Sequence, residues 1–223
     1  MPQNSQPRLD AQRGTARRSA ILDASARLFA RNGVETTTVR EIAREVGVLS
    51  GSLYHHFPSK DAIAEEIVRG YLDDLLRSYR EVLAGPSHPR DALRGLVAAS
   101  LRAEQRHPHA TEVYRSELRR RGERAATDGS GIDLTAAATE VEQAWMQVLT
   151  RGRALRVFRT DVPVWLVYRL IRDSLFHSRP SEGARSVEDL HETADVMTSL
   201  VLDGVTPRPA PARTAAFTVP RAV

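Results

Sequence analysis

The sequence predicts an all-α protein of about nine helices, with a small N-terminal helical unit leading into a larger helical body. Three observations predict it. Apolar residues recur at steps of three and four in successive segments, and no segment alternates apolar and polar residues as a half-buried strand would. Ser, Thr and Asp stand where those segments begin, and Gly and Pro where they end. The 223 residues are 41% apolar and 27% charged, the composition of a globular chain with a core to bury.

Taken in order, residues 1–14 are polar and lack apolar period, and are expected to form a disordered arm. In ARRSAILDASARLFARNG, Ile21, Ser25 and Leu28, with Leu22 and Phe29, fall at helical spacing, and Asn32-Gly33 supplies a left-handed stop. Thr38 is an N-cap, and Glu41 three residues on completes a capping box. Val39, Ile42, Ala43 and Val46 then form one apolar face, and Gly47 ends this second helix. Ser50 is expected to cap a short third helix, Gly51 to Phe57, with Leu53 and Phe57 turned inward. Pro58 interrupts, and Ser59 caps a long fourth helix to about Leu83. Further helices are expected from about Arg90 to Arg106, from Pro108 to near Arg121, and from about Leu134 to Leu155. Two more run from an Asp161 cap, with Pro163 in the first turn, to about Ser178, and from a Ser186 cap to Gly204. The division that follows is an arm at 1–14, a helix-turn-helix unit at 15–60, a helical body at 61–205 and a disordered tail at 206–223.

Charge and composition limit the chemistry. The net charge is +4, and all of the excess lies in residues 1–60, which hold nine Lys+Arg and five Asp+Glu; the remainder holds 23 of each sign. A positive end on a neutral body points to a polyanionic partner at that end. The chain has no cysteine, which excludes a disulfide scaffold, a thiolate zinc site and a cysteine nucleophile, and fits a reducing cytoplasm. No apolar run approaches a membrane span, and the N-terminus lacks the apolar middle of a signal peptide. The expected location is therefore cytoplasmic, with no membrane partner. No G-x-S-x-G elbow, Walker loop or metal-hydrolase motif is present, so no enzyme is expected and no catalytic residue is assigned. His55 and His56 point about 100° apart on a helix and have no third ligand at metal spacing, and His107-Pro108-His109 fails in the same way.

Two short helices joined by Gly47-Val48-Leu49 make a helix-turn-helix unit whose second helix is shaped to enter a DNA major groove. Ser50, Gly51 and Ser52 are small enough for close approach, while Tyr54, His55 and His56 point outward and Lys60 is placed to meet a phosphate. GVLSGSLYHHFPSK, from Gly47 to Lys60, follows the pattern G-V-x-x-G-x-L-Y-x-H-F-x-S-K almost throughout. With the stretch from Thr36 to Ile63, it resembles the DNA-binding signature of the TetR family of bacterial regulators. That resemblance implies a dimeric all-α protein bound to a double-stranded DNA operator. It implies DNA contacts at Thr38, Arg40, Ser50, Gly51, Ser52, Tyr54, His55, His56 and Lys60. Tyr54, His56 and Lys60 suit phosphates; Ser50, Ser52 and His55 suit bases.

For the body, the resemblance implies a small-molecule inducer and a four-helix bundle made with a second copy. Val164, Tyr168, Ile171, Leu175 and Leu190, Ala194, Met197, Val201 are the faces that suit the bundle, unless both belong to the monomer core. Trp165, Arg169, Arg172, Phe176 and Arg179 form one stripe of aromatic and guanidinium groups, suited to an anionic ligand with a flat ring. A solvated edge paired with Asp173 is the alternative. Arg119, Arg120, Arg121 and Arg124 form a second basic cluster, read as a solvated helix end. GVLSGSLYHHFPSK and VYRLIRDSLF, Val167 to Phe176, also resemble the TetR subgroup that represses sterol and fatty-acid catabolism and responds to acyl-CoA thioesters. That implies no bound cofactor, an acyl-CoA effector, and ligand contacts at Trp145, Trp165, Tyr168, Arg169, Arg172 and Phe176. A non-CoA hydrophobic ligand such as a drug or antibiotic, or action as an activator, is the alternative.

Overall fold

The computed structural model describes residues 6–85, 87–123, 135–177 and 187–206, and among them the chain is all-α, with nine helices and no strand. They are α1 (Gln6–Asn32), α2 (Val39–Val46), α3 (Ser50–Leu53), α4 (Lys60–Leu83), α5 (Pro89–Arg106), α6 (Pro108–Glu123), α7 (Thr135–Ala154), α8 (Val164–His177) and α9 (Val187–Val205). The expected loop from residue 124, the Ser186 cap, Arg124, Arg179, the extreme N-terminus and the tail beyond residue 206 lie outside the described residues. So do the side chains of Arg121, Phe176, Leu190 and Ala194.

Local chemistry places the first boundaries. Thr38 Oγ1 accepts the Glu41 N–H at 3.2 Å, and the Glu41 carboxylate takes the Thr38 N–H at 2.7 Å, closing the capping box. Gly47 ends α2 at φ 71°, ψ 39°, a left-handed conformation that a Cβ would strain. Ser59 accepts the Ala62 N–H at 3.0 Å and starts α4 where expected. Three expectations are corrected. α1 begins at Gln6, inside the segment expected to be disordered, because that segment is rich in helix formers and the single Gly14 weakens the helix without ending it. α3 is one turn, Ser50–Leu53, and its N-cap is Leu49 rather than Ser50. Asp161 does not cap α8: its carboxylate is held by Arg159 at 2.5 and 2.8 Å, and that bond lowers its pKa to about 2.

One continuous core runs from Ile21 in α1, through Ile63, Val68, Leu72 and Leu75 of α4, to Val205 at the end of α9. α4 packs on α1, α5, α6 and α7, so one helix joins the N-terminal unit to the body. α6 also packs on both α1 and α4. At the end of α7 the chain turns sharply. The Val157 and Phe158 N–H groups donate to the Gly152 carbonyl at 2.9 and 3.1 Å, and a Cβ at Gly152 would lie 2.1 Å from the Phe158 ring. Glycine is required there by contact, since the buried Phe158 occupies the space.

Candidate nucleic-acid interface and internal cavity

The two helices of the N-terminal motif are held from beneath. Ile42 and Ala43 of α2 and Leu53 and Phe57 around α3 are buried. The Val48 N–H donates to the Ala43 carbonyl at 2.9 Å, closing the turn between them. After α3, the His56 and Phe57 N–H groups both donate to the Leu53 carbonyl. Arg18 of α1 sits 4.4 Å above the Phe57 ring while pairing with Glu66 of α4, so the far side of the motif is braced by both long helices.

The outer surface carries most of the expected contact residues. Gly51, Tyr54 and His55 are exposed, and Ser50, Ser52 and His56 are half-buried. Thr38 and Arg40, at the start of α2, are exposed as well. Thr38 already serves the capping box, and its bonds hold the Glu41 carboxyl below the usual carboxylate range. Leu49, which no expectation singled out, is the most exposed large apolar residue described, at 81%.

Lys60 departs from expectation. Its Nζ donates to the Glu35 and Thr37 carbonyls, both at 2.9 Å, instead of pointing outward. It clamps the α1–α2 turn onto α4. Glu35, on the same turn, also pairs with Arg120 of α6, which in turn pairs with Glu117 at 2.7 Å. The basic end of α6 is therefore engaged with the DNA-facing unit through Arg120, not merely solvated.

Five helices of the body surround a small cavity of about 40 Å³. α4 contributes Tyr71, Leu75 and Tyr79; α5 Ser100 and Glu104; α6 Thr111, Tyr114 and Arg115; α7 Val141 and Trp145; α8 Tyr168, Arg172 and Leu175. Polar groups within it are ordered. Ser100 Oγ donates to the Leu96 carbonyl, so the Tyr79 hydroxyl donates to Ser100 at 2.6 Å and accepts from Trp145 Nε1 at 3.0 Å. Arg115 pairs with Glu104 at 2.6 Å and reaches the Leu175 carbonyl at 3.3 Å. Burial pushes the Tyr168 hydroxyl up to about 12 and raises Tyr71 and Tyr79 further, so all three remain neutral donors.

The predicted ligand residues divide. Trp145, Tyr168 and Arg172 line the cavity; Trp165 and Arg169 do not. Trp165 is exposed, and Arg169 lies 3.9 Å from Asp173 on the surface. Helix geometry explains the division. The buried face of α8 is Tyr168, Ile171 and Leu175, and the stripe lies roughly 100° around from it, with Arg172 the member nearest that face. Arg172 spans both settings, 5.8 Å from the Tyr168 ring and 2.9 Å from Asp173.

The expected dimer face of α8 is also revised. Tyr168, Ile171 and Leu175, expected to meet a second copy, are buried in the monomer. The exposed apolar surface is instead a groove of about 310 Å³ between α8 and α9, lined by Val167, Leu170, Met197, Leu200 and Val201. Leu170 and Leu200 are 60% and 68% exposed. Among the described residues no cluster of His, Asp or Glu has metal-binding geometry, and no helix is long and apolar enough to cross a membrane.

Residues 21–67 match the model of bacterial regulatory proteins of the tetR family. Over 203 residues the chain is 38% identical to the HTH-type transcriptional repressor KstR2 of Rhodococcus jostii RHA1, covering 89% of this chain and 96% of that one. It is 37% identical over 163 residues to KstR2 of Mycobacterium tuberculosis H37Rv, covering 73% and 80%. Its fold is similar to that of the solved ketosteroid transcriptional regulator KstR2 of Mycobacterium tuberculosis, with TM-score 0.74, 34% identity and coverage of 86% and 96%. It is also similar to a solved probable transcriptional regulatory protein, RHA5900, with TM-score 0.70, 36% identity and coverage of 86% and 100%. The helix-turn-helix at residues 39–53, the nine helices among the described residues and the extent of these similarities agree: the chain belongs to the tetR family of bacterial regulatory proteins.

Proposed function

We propose that the chain is a homodimeric transcriptional repressor that binds a near-palindromic operator and is released by a small molecule held in the cavity. The effector class is an acyl-CoA thioester from sterol or fatty-acid catabolism. One observation carries the reading: α4 and α6 both line the cavity and both hold the DNA-facing unit, through Lys60 and Arg120 respectively. A ligand that repositions either helix moves the α1–α2 turn with it. The relatives named as KstR2 repressors, and a solved one named as a ketosteroid regulator, support repression and a sterol-related effector; the thioester is the reading's own step.

Each copy would set α3 into one of two successive major grooves, about 34–36 Å apart or a little more. The groove between α8 and α9 supplies the apolar surface for pairing. The cavity has little open space, so the ligand must bind a more open state than this one; that differential affinity is what shifts the equilibrium. Coupling of this kind typically changes operator affinity about 5–150-fold.

One observation favours a rival effector. Of the two described arginines in the α8 stripe, Arg172 reaches the cavity and Arg169 does not, which suits an uncharged hydrophobic drug or antibiotic better than a polyanion. DNA binding and stoichiometry test the common part of both readings. Promoter fragments from the protein's own genomic neighbourhood should yield one short, near-palindromic protected site, occupied by an even number of chains. Binding that is equal on all DNA, or by a single chain, would refute it. Strengthened binding on adding ligand would make the protein an activator.

A further inference from the structure

We infer that Leu49 reads DNA sequence directly, by packing on the C5-methyl group of a thymine in each operator half-site. The inference rests on the DNA-binding reading above and adds a specificity-determining residue that Ser50 and Ser52 of α3 and His55 beyond it do not supply.

Leu49 is unfavourable for the folded chain in two ways. At 81% exposure it leaves a large apolar side chain in water, and its neighbour Val48, not Leu49, packs against the core. It also occupies the N-cap of α3, with extended backbone at φ −73°, ψ 143°, and makes no side-chain cap bond. Ser, Thr, Asp or Asn at that position would satisfy a backbone N–H; leucine satisfies none. Two unfavourable features at one residue, with no packing return among the described residues, mark a side chain kept for an external contact.

The surroundings identify the partner. Leu49 is continuous with exposed Gly51, Tyr54 and His55 and with half-buried Ser50 and Ser52. The N-terminal end of a recognition helix is the end that meets base edges. The first 60 residues also carry the chain's whole positive excess. In a major groove the apolar group that base edges present is the thymine methyl, so an aliphatic side chain at this place discriminates thymine from cytosine by contact rather than by hydrogen bonding.

The test uses the full chain and its operator. Each thymine is replaced in turn by deoxyuridine, which removes only the methyl group, and affinity is measured by fluorescence anisotropy for the wild type and for Leu49→Ala. One thymine in each half-site should lose about four-fold in wild-type affinity on demethylation, the effect of one buried methyl-sized group. Leu49→Ala should bind thymine and deoxyuridine alike at that position. Leu49→Ser, which restores a cap, should behave like Leu49→Ala while keeping or raising the melting temperature, which separates base reading from folding. An unchanged deoxyuridine profile in Leu49→Ala, or a wild type sensitive at no thymine, overturns the inference and leaves the DNA-binding reading intact. A wild type that binds no DNA overturns both.

Discussion

Lys60 donates its ammonium group to two backbone carbonyls, Glu35 and Thr37, at 2.9 Å each. A lysine so placed orients the start of α2, and we expect that role, not a phosphate contact, to be its part in operator binding. Loss of charge-assisted bonds of this kind costs about 1–3 kcal/mol. Lys60→Ala should therefore weaken operator binding while leaving the salt dependence unchanged, and should speed amide exchange across residues 33–41. Affinity measured at several salt concentrations checks this, since loss of a phosphate contact would lower the slope of log affinity against log salt by about one. From sequence alone Lys60 reads as a phosphate ligand, because its partners lie 23 and 25 residues away and are main-chain atoms, which leave no mark in a motif. Leu49 was missed for the opposite reason: a leucine has no polar chemistry to attract notice, and only its exposure singles it out.

At the scale of the element, α6 links the two functional regions. Thr111, Tyr114 and Arg115 face the cavity, and Arg120, further along the same helix, pairs with Glu35 beside α2. Arg120→Ala should retain operator binding but reduce the ratio of affinities without and with effector by several-fold. A titration of operator release against effector concentration reads that ratio. α7 offers a stability test. Gly152→Ala would gain helix propensity, yet the new methyl group meets the buried Phe158 ring. Overpacking of this kind costs about 1–3 kcal/mol, and each kcal/mol lowers the melting temperature of a chain this size by about 2–4 °C. A melting temperature equal to wild type would show that the ring yields freely.

These elements also show what is legible in the residues. α2 and α4 start where expected because their caps, Thr38 with Glu41 and Ser59 with Ala62, are complete within four residues. α8 starts later than its Asp161 suggests, because Arg159 captures the carboxylate. Periodicity identified which α8 residues share a face; it carried no information on which face meets α4, α7 or solvent. The stripe from Trp165 to Phe176 therefore split, and Tyr168, Ile171 and Leu175 moved from the expected dimer surface to the core. Trp145, Tyr168 and Arg172 did converge on one cavity.

Across the whole molecule, the N-terminal unit carries the charge that suits DNA, α8 and α9 carry an exposed apolar groove, and helices α4 to α8 line the cavity. Leu170 and Leu200 expose apolar surface with no packing partner in the described chain, which a second copy would cover. Leu200→Asp should shift sedimentation toward a monomer and reduce operator affinity, because two half-sites would no longer be gripped together. An unchanged dimer in that variant would place the interface elsewhere.

A ligand in the cavity lined by α4 to α8 is proposed to release the chain from its operator. The most direct measurement titrates a panel of CoA thioesters, with free CoA and the free acids as controls, into the chain–operator complex at about 0.15 M salt. Fluorescence of buried Trp145 is followed in a Trp165→Phe background. One thioester should release the operator at micromolar concentration, its free acid should not, and Trp145 fluorescence should change over the same concentration range. A tight complex undisturbed by every thioester would contradict the CoA effector, and release without any change at Trp145 would contradict the cavity as its site.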